Sequence, residues 1–170
     1  MRVRIVGVDR SERSGAAAVE MALCLPLVLT MLIGTWEVGR ILEMQQFLNV
    51  GAREAARQAG SGLLTNSQVQ QVAVNCIKNA LGDSTGTLTR NLVVTVTVYD
   101  ADSPSTVKSV DVSQADPLDL IVVKASIPYA DVRWIALPTV SGAGTLSAQV
   151  SWVSLKNFPF PTTVPVPPAG

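Results

Sequence analysis

The chain has no histidine and only two cysteines among its 170 residues, so two frequent sources of reactivity are scarce from the outset. Without histidine, the commonest general base is unavailable to a serine or cysteine nucleophile. Cys24 falls in an apolar run and Cys76 in the apolar stripe of a later helical stretch, so they form no disulfide framework of the kind small exported domains use, and free, buried thiols are expected. Charge is equally thin: 13 basic residues balance 13 acidic ones, and together they make 15% of the chain. Nothing there provides a surface for nucleic acid. Asp100, Asp102, Asp111, Asp116 and Asp119 lie in turn-forming sequence, and the Asp-x-Asp at 100–102 lacks the further ligands of a calcium loop. Turn chemistry explains them better than a metal site. Neither a metal nor a cofactor is expected, and no catalytic constellation stands out.

What is present begins with an apolar run. Met21 to Trp36 carries no charge, and with Ala16 to Val19 it reaches the roughly 20 residues that a helix needs to cross a bilayer. Glu20 is the one acid in it, and a carboxylate in a span costs on the order of 2.5–3.5 kcal/mol at the centre and less towards an interface. Arg2, Arg4, Arg10 and Arg13 precede the run and only Arg40 follows closely, which orients the N-terminus to the cytoplasm and exports the rest. A secretory signal peptide fits less well, because Ile33-Gly-Thr-Trp-Glu37 offers no small-x-small cleavage site and the helical pattern continues.

Beyond Trp36, Ile41, Met44, Leu48, Ala52, Ala55 and Ala59 follow at three- and four-residue steps, so span and stripe read as one helix from about Ser14 to Ala59, ending at Gly60-Ser-Gly62. Two interleaved small-residue series, Gly51/Ala55/Ala59 and Ala52/Ala56/Gly60, allow another backbone to approach closely. Packing on the protein's own sheet is the reading for this outer half, and self-association for the membrane half. Thr65-Asn-Ser-Gln68 is a capping box opening a second, short helix that runs to Gly82-Asp83. Strands follow: Leu92–Tyr99 with Val94, Val96 and Val98 on one face, Val107–Val112, Leu118–Ile127, and Thr145–Leu155. Short connections favour an antiparallel sheet. Trp134 lies in an irregular stretch that reaches Pro138, and Pro159, Pro161, Pro165, Pro167 and Pro168 mark a closing spacer or contact strip.

Gly15-Ala-Ala-Ala-Val-Glu20, the apolar helix with Pro26, Glu37-Val-Gly-Arg40 and Ala52-Arg-Glu-Ala-Ala-Arg57 together resemble the TadE-like family of tight-adherence pilus biogenesis. The resemblance implies a pilin-like α+β fold, with a long N-terminal transmembrane helix, a short helix and a small antiparallel β-sheet. It implies a layout of basic leader (1–15), transmembrane and continuing amphipathic helix (16–60), exported α+β domain (61–155) and proline-rich tail (156–170). It also implies a minor pilin or pseudopilin, not an enzyme, held single-pass in the bacterial inner membrane. Its partners would be other pilin subunits, assembly-platform proteins, membrane lipid and a prepilin peptidase. Carried over by residue, cleavage falls between Gly15 and Ala16, and Glu20 is the assembly and processing acid; Pro26, Gly51, Ala52, Ala55, Ala56 and Ala59 are the residues expected to pack helices. The competing classes are a single-pass anchored binding protein with an exported β-rich domain, in which Glu20 has no use, and a membrane-bound enzyme, which the missing catalytic groups disfavour.

Overall fold

A computed structural model describes residues 10–133 and 144–157, with side chains from Gly15 onward. The first nine residues, Trp134, Pro138 and the prolines of the tail lie outside the described residues. Helix α1 spans Arg10–Ala59. It starts four residues before the expected Ser14, because Arg, Ser and Glu at 10–13 tolerate helix and one interior glycine costs only about 1 kcal/mol. The chain divides into two compact units, residues 1–40 and 41–170, so α1 contributes to both.

In the second unit the stripe of α1 is buried: Met44 and Leu48 are 2% exposed, and Ala52, Ala55, Ala56 and Ala59 are inaccessible. Helix α2 (Asn66–Leu81) opens on the expected capping box, in which Thr65 accepts from the Gln68 N–H and the Gln68 side chain accepts from the Thr65 N–H. It closes on Gly82, whose φ of +63° is the left-handed conformation that glycine adopts without strain. Val69, Ala73 and Ile77 form its buried line. Cys76 sits one residue off that line and is half-buried rather than buried, and Cys24 is exposed on α1; both thiols are free.

The sheet is four-stranded and antiparallel throughout, in the order β2-β1-β3-β4, where β1 is Val93–Tyr99, β2 Val107–Lys108, β3 Leu120–Pro128 and β4 Thr145–Val153. A single turn of helix, α3 (Tyr129–Val132), follows β3. With α1 and α2 packed into one core with the strands, the fold is α+β. Strand β1 places Val94 and Val98 in the core, and Ile121, Val123, Ala125 and Ile127 do the same from β3.

Strand β1 begins one residue later than expected and β3 ends one residue later, and three strand boundaries differ by two residues or more. The second strand ends at Lys108 instead of Val112 because Asp111 draws the chain away from the sheet. One Asp111 carboxylate oxygen accepts from the Ser113 N–H (3.0 Å), capping a 3-10 turn at Val112–Gln114. The other accepts from the Asn66 N–H (3.0 Å), while Asn66 Oδ1 accepts from the Val112 N–H (3.0 Å), which ties this turn to the start of α2. The third strand begins at Leu120, since Leu118 has a φ of 71° and the Asp119 N–H closes a turn onto the Asp116 carbonyl. The fourth stops at Val153, because the Leu155 N–H turns to the Gly60 carbonyl (2.8 Å).

Candidate functional site

The residues expected to carry function lie on α1. Gly15, Ala16 and Glu20 are all exposed on a helix that has already begun at Arg10, so the expected cleavage junction lies within helical backbone. Glu20 follows Ala16 by four residues, one turn further along the same face. No atom lies within 4 Å of where a Cβ on Gly15 would stand.

From Val19 to Ile33 every large apolar side chain is exposed, between 36% for Ile33 and 76% for Leu23. Apolar surface left in water loses about 25 cal/mol per Å² relative to burial, so this run calls for a non-aqueous surrounding. Its best 18-residue window has a mean hydropathy of 2.2, and α1 is thus long and apolar enough to cross a membrane. The hydroxyls in the run are consistent with that surrounding. Thr30 Oγ1 donates to the Pro26 carbonyl (2.7 Å) and Thr35 Oγ1 to the Met31 carbonyl (2.9 Å), so neither leaves a donor unmet where water is absent. Pro26 lies inside the helix and exposed, and its missing N–H withdraws one bond from the ladder.

The small residues further along α1 have a different environment. A Cβ on Gly51 would stand 2.4 Å from Ile77 Cγ1 and 3.2 Å from the Ala73 carbonyl oxygen, so Gly51 is where α1 meets α2. A Cβ on Gly60 would stand 2.5 Å from Trp152 Cδ1 and 3.1 Å from the Val153 carbonyl oxygen, so the end of α1 meets β4. Ala52, Ala55, Ala56 and Ala59 fill the core near these contacts. In Ala52-Arg-Glu-Ala-Ala-Arg57 the alanines therefore face in while the charged side chains pair outside. Arg57 grips Glu54 through Nε (3.0 Å) and Nη2 (2.7 Å), Gln58 Nε2 adds a third bond (2.7 Å), and these hold the Glu54 carboxyl down to about 2. Glu37 of the Glu37-Val-Gly-Arg40 motif is buried.

Three of the acids expected as turn residues, Asp100, Asp116 and Asp119, gather around Lys108, a partner that no local pattern announces. The buried Asp119 carboxylate accepts from Lys108 Nζ at 2.9 Å on both oxygens, and from the N–H groups of Asp116 (2.9 Å) and Ala101 (3.1 Å). Asp116 (3.0 Å) and Asp100 (3.9 Å) complete the ring around Lys108. Burial pushes the Asp119 carboxyl up, but the ammonium and the two N–H donors outweigh it and the net shift is downward. Hydrogen bonds that it donates to Asp119 and then to Asp116 hold the Lys108 ammonium well above its ordinary value. Asp83 behaves alike: burial is outweighed by the Thr89 N–H and hydroxyl, the Thr87 N–H and the Thr85 hydroxyl, which fold the loop after α2 over it. Both clusters spend their acceptors on their own loops. Among the described residues no group of three or more His, Cys, Asp or Glu side chains could hold a metal ion.

The functional signal is thus confined to α1, and the comparisons fall on the same segment. Residues 15–57 match the family model of TadE-like protein. No curated protein and no solved structure matches the chain. The TadE-like match takes in Gly15, Ala16, Glu20, Pro26, the exposed apolar run and the buried alanines, and it agrees with the resemblance carried by the sequence motifs. It stops before Gly60, so the sheet, the Lys108 cluster and β4 stand outside the TadE-like segment.

Proposed function

We propose that the chain is a Tad pilus-associated protein acting as a minor pilin or pseudopilin. In this reading it is inserted single-pass in the inner membrane with its N-terminus cytoplasmic and the sheet unit exported, and it is cut between Gly15 and Ala16 by a prepilin peptidase. The observation that carries the proposal is an exposed apolar run of α1, Ala16 to Trp36, whose single acid, Glu20, stands four residues after Ala16, inside the TadE-like segment. Cleavage creates an α-ammonium on Ala16 and makes Ala16 the start of the helix, where the positive end of the helix dipole favours a nearby carboxylate. Glu20 then pairs with that amine, its own or a neighbouring subunit's, and the second pairing sets the register between helices during assembly. A carboxylate with such a partner accounts for an acid that a plain anchor has no use for. The partners are other pilin subunits and the assembly platform; the role needs no cofactor and no catalytic group.

The test compares parent, Gly15→Leu and Glu20→Leu in cells that assemble the filament. Mass spectrometry of the mature N-terminus should find Ala16 first in the parent and in Glu20→Leu. Gly15→Leu should keep residues 1–15, because leucine fills the space a peptidase reserves for glycine. Glu20→Leu should insert in the membrane yet be recovered poorly in the surface fraction. A parent that keeps its leader, or a Glu20→Leu variant that reaches the filament as well as the parent, returns the chain to a simple anchored binding protein.

A further inference from the structure

Two unfavourable features meet at one contact, where the turn before β3 touches the end of β4. The turn Asp116-Pro117-Leu118-Asp119 closes with the Asp119 N–H on the Asp116 carbonyl (3.2 Å), and Leu118, its third residue, has a φ of 71°. Proline second and a positive φ third describe a type II turn, whose third place favours glycine or asparagine. A leucine there brings its Cβ against a neighbouring carbonyl, and because Leu118 is 51% exposed, burial of its own side chain does not offset that strain. Its N–H donates to the Ser154 carbonyl (2.9 Å), a bond that the strained conformation makes possible. Ser154 is the second unfavourable feature. It is inaccessible, and among the described residues nothing pairs with its buried hydroxyl.

The ends of the turn are fixed independently of its middle. The Asp119 carboxylate accepts from the N–H groups of Asp116 (2.9 Å) and Ala101 (3.1 Å) and from Lys108 Nζ (2.9 Å), and the Asp119 carbonyl accepts from the Ser154 N–H (2.8 Å). Rotation of the Pro117–Leu118 peptide plane converts type II to type I, in which proline keeps its place, the third residue takes a φ of about −90° and the closure from Asp119 to Asp116 survives. We propose that this peptide plane is a two-position latch on the end of β4. In the closed position Leu118 is strained and its N–H holds Ser154. In the open position Leu118 relaxes, its N–H turns away, the Ser154 carbonyl loses its donor and the hydroxyl reaches water. Beyond Ser154 the chain is tied by the Leu155 N–H to the Gly60 carbonyl (2.8 Å) and by Lys156 Nζ to the Ser113 carbonyl, with the Lys156 stem lying over Gly62. The latch thus sets how firmly the end of β4 is fastened to the turn that ends α1.

Residue-resolved amide hydrogen exchange on the whole chain in detergent micelles tests the latch, read as protection relative to the unstructured rate. Leu118→Gly removes the Cβ that strains the closed position, and should raise protection at position 118 and at Leu155 about tenfold. Asp119, whose N–H keeps its partner in both positions, and Val123 in the middle of β3 should stay as in the parent. Ser154→Ala removes the unpaired hydroxyl and should raise protection at Leu118 and Leu155 about fivefold or more. Leu118→Val, β-branched and less tolerant of a positive φ, should lower protection at the same two positions. Equal protection of position 118 and Leu155 in the parent and in Leu118→Gly overturns the proposal. So does a change at Asp119 or Val123 as large as that at position 118, which assigns the effect to opening of the whole turn or of the whole fold.

Discussion

One continuous helix solves two opposite packing problems. Between Val19 and Ile33 the large side chains are outside, and Leu23, Leu27 and Met31 are each at least 66% exposed. Between Ala52 and Ala59 the buried positions are alanines, each inaccessible. If burial from water were the only rule, leucines would be inside and alanines indifferent. In the first segment the reversal fits a candidate membrane span, whereas the second gives up side-chain volume so that α2 and β4 come close to its backbone.

The strongest way to break this comparison is to move the cut. A fragment of residues 41–170 should be soluble and fold, with circular dichroism showing both helix and strand, since all of the core it needs is present. A fragment of 61–170 loses Met44 and Leu48 as well as the four alanines. Each large side chain removed from a core costs about 2–5 kcal/mol, against a whole stability of about 5–15 kcal/mol, so this fragment should show no cooperative melt. A sharp transition in 61–170 would mean that the outer half of α1 belongs with the first unit instead.

A second, smaller effect contrasts two exposed apolar positions. Leu27→Arg should weaken recovery in the membrane fraction by a cost of about 2.5–3.5 kcal/mol, the value for a charge near the middle of a span. Val50→Arg, at a site also 56% exposed, should change stability by no more than about 0.5 kcal/mol. Equal membrane recovery of the two variants removes the distinction between the segments. Within the buried half, Ala55→Leu should lower stability by about 1–3 kcal/mol by overpacking, read as a lower melting temperature of the 41–170 fragment.

Legibility in the sequence followed the range of the contacts. The capping box at Thr65, the stop at Gly82, the alternation of Val94, Val96 and Val98, and the stripe from Met44 to Ala59 depend on neighbours a few residues apart, and all were readable. Asp111 was read as a turn residue, but its reach to Asn66 across 45 positions, which shortens β2, has no local signature. Gly60 was read as a helix stop and one of a small-residue series; that it also makes room for Trp152 depends on a strand some ninety residues away. For the same reason Asp119 was read as a turn residue, and Lys108 drew no reading beyond its place in the second strand. On α1 the apolar run and the TadE-like resemblance were legible because their signal is composition and spacing.

The smallest effect expected is also the one that separates the units by chemistry. The apolar run from Met21 to Trp36 carries no carboxylate, whereas the sheet unit is fastened by Asp83, Asp111 and Asp119, all with carboxyls held below their ordinary values. A depressed folded value means that the unfolded chain takes up protons first. The stabilisation is present above about pH 4, the unfolded value for Asp, and is lost as pH falls through the folded value. Lys108 runs the other way: its raised value stabilises fully below about pH 10.4 and is lost only as pH rises through the folded value. The cluster is therefore at full strength between about pH 4 and 10. Asp119→Asn keeps the shape and one acceptor but removes the charge facing Lys108, which is itself 23% exposed and partly screened, so the loss at pH 7 should be on the order of 1 kcal/mol. Melting temperatures of the 41–170 fragment should fall for the parent between pH 5 and about pH 2, and more gently for Asp119→Asn, because one of the four depressed carboxyls, Glu54, Asp83, Asp111 and Asp119, has gone. Parallel curves for the two proteins would show that the Asp119 carboxyl takes up its proton alike in the folded and unfolded chain, so that neither Lys108 nor the backbone donors hold it down.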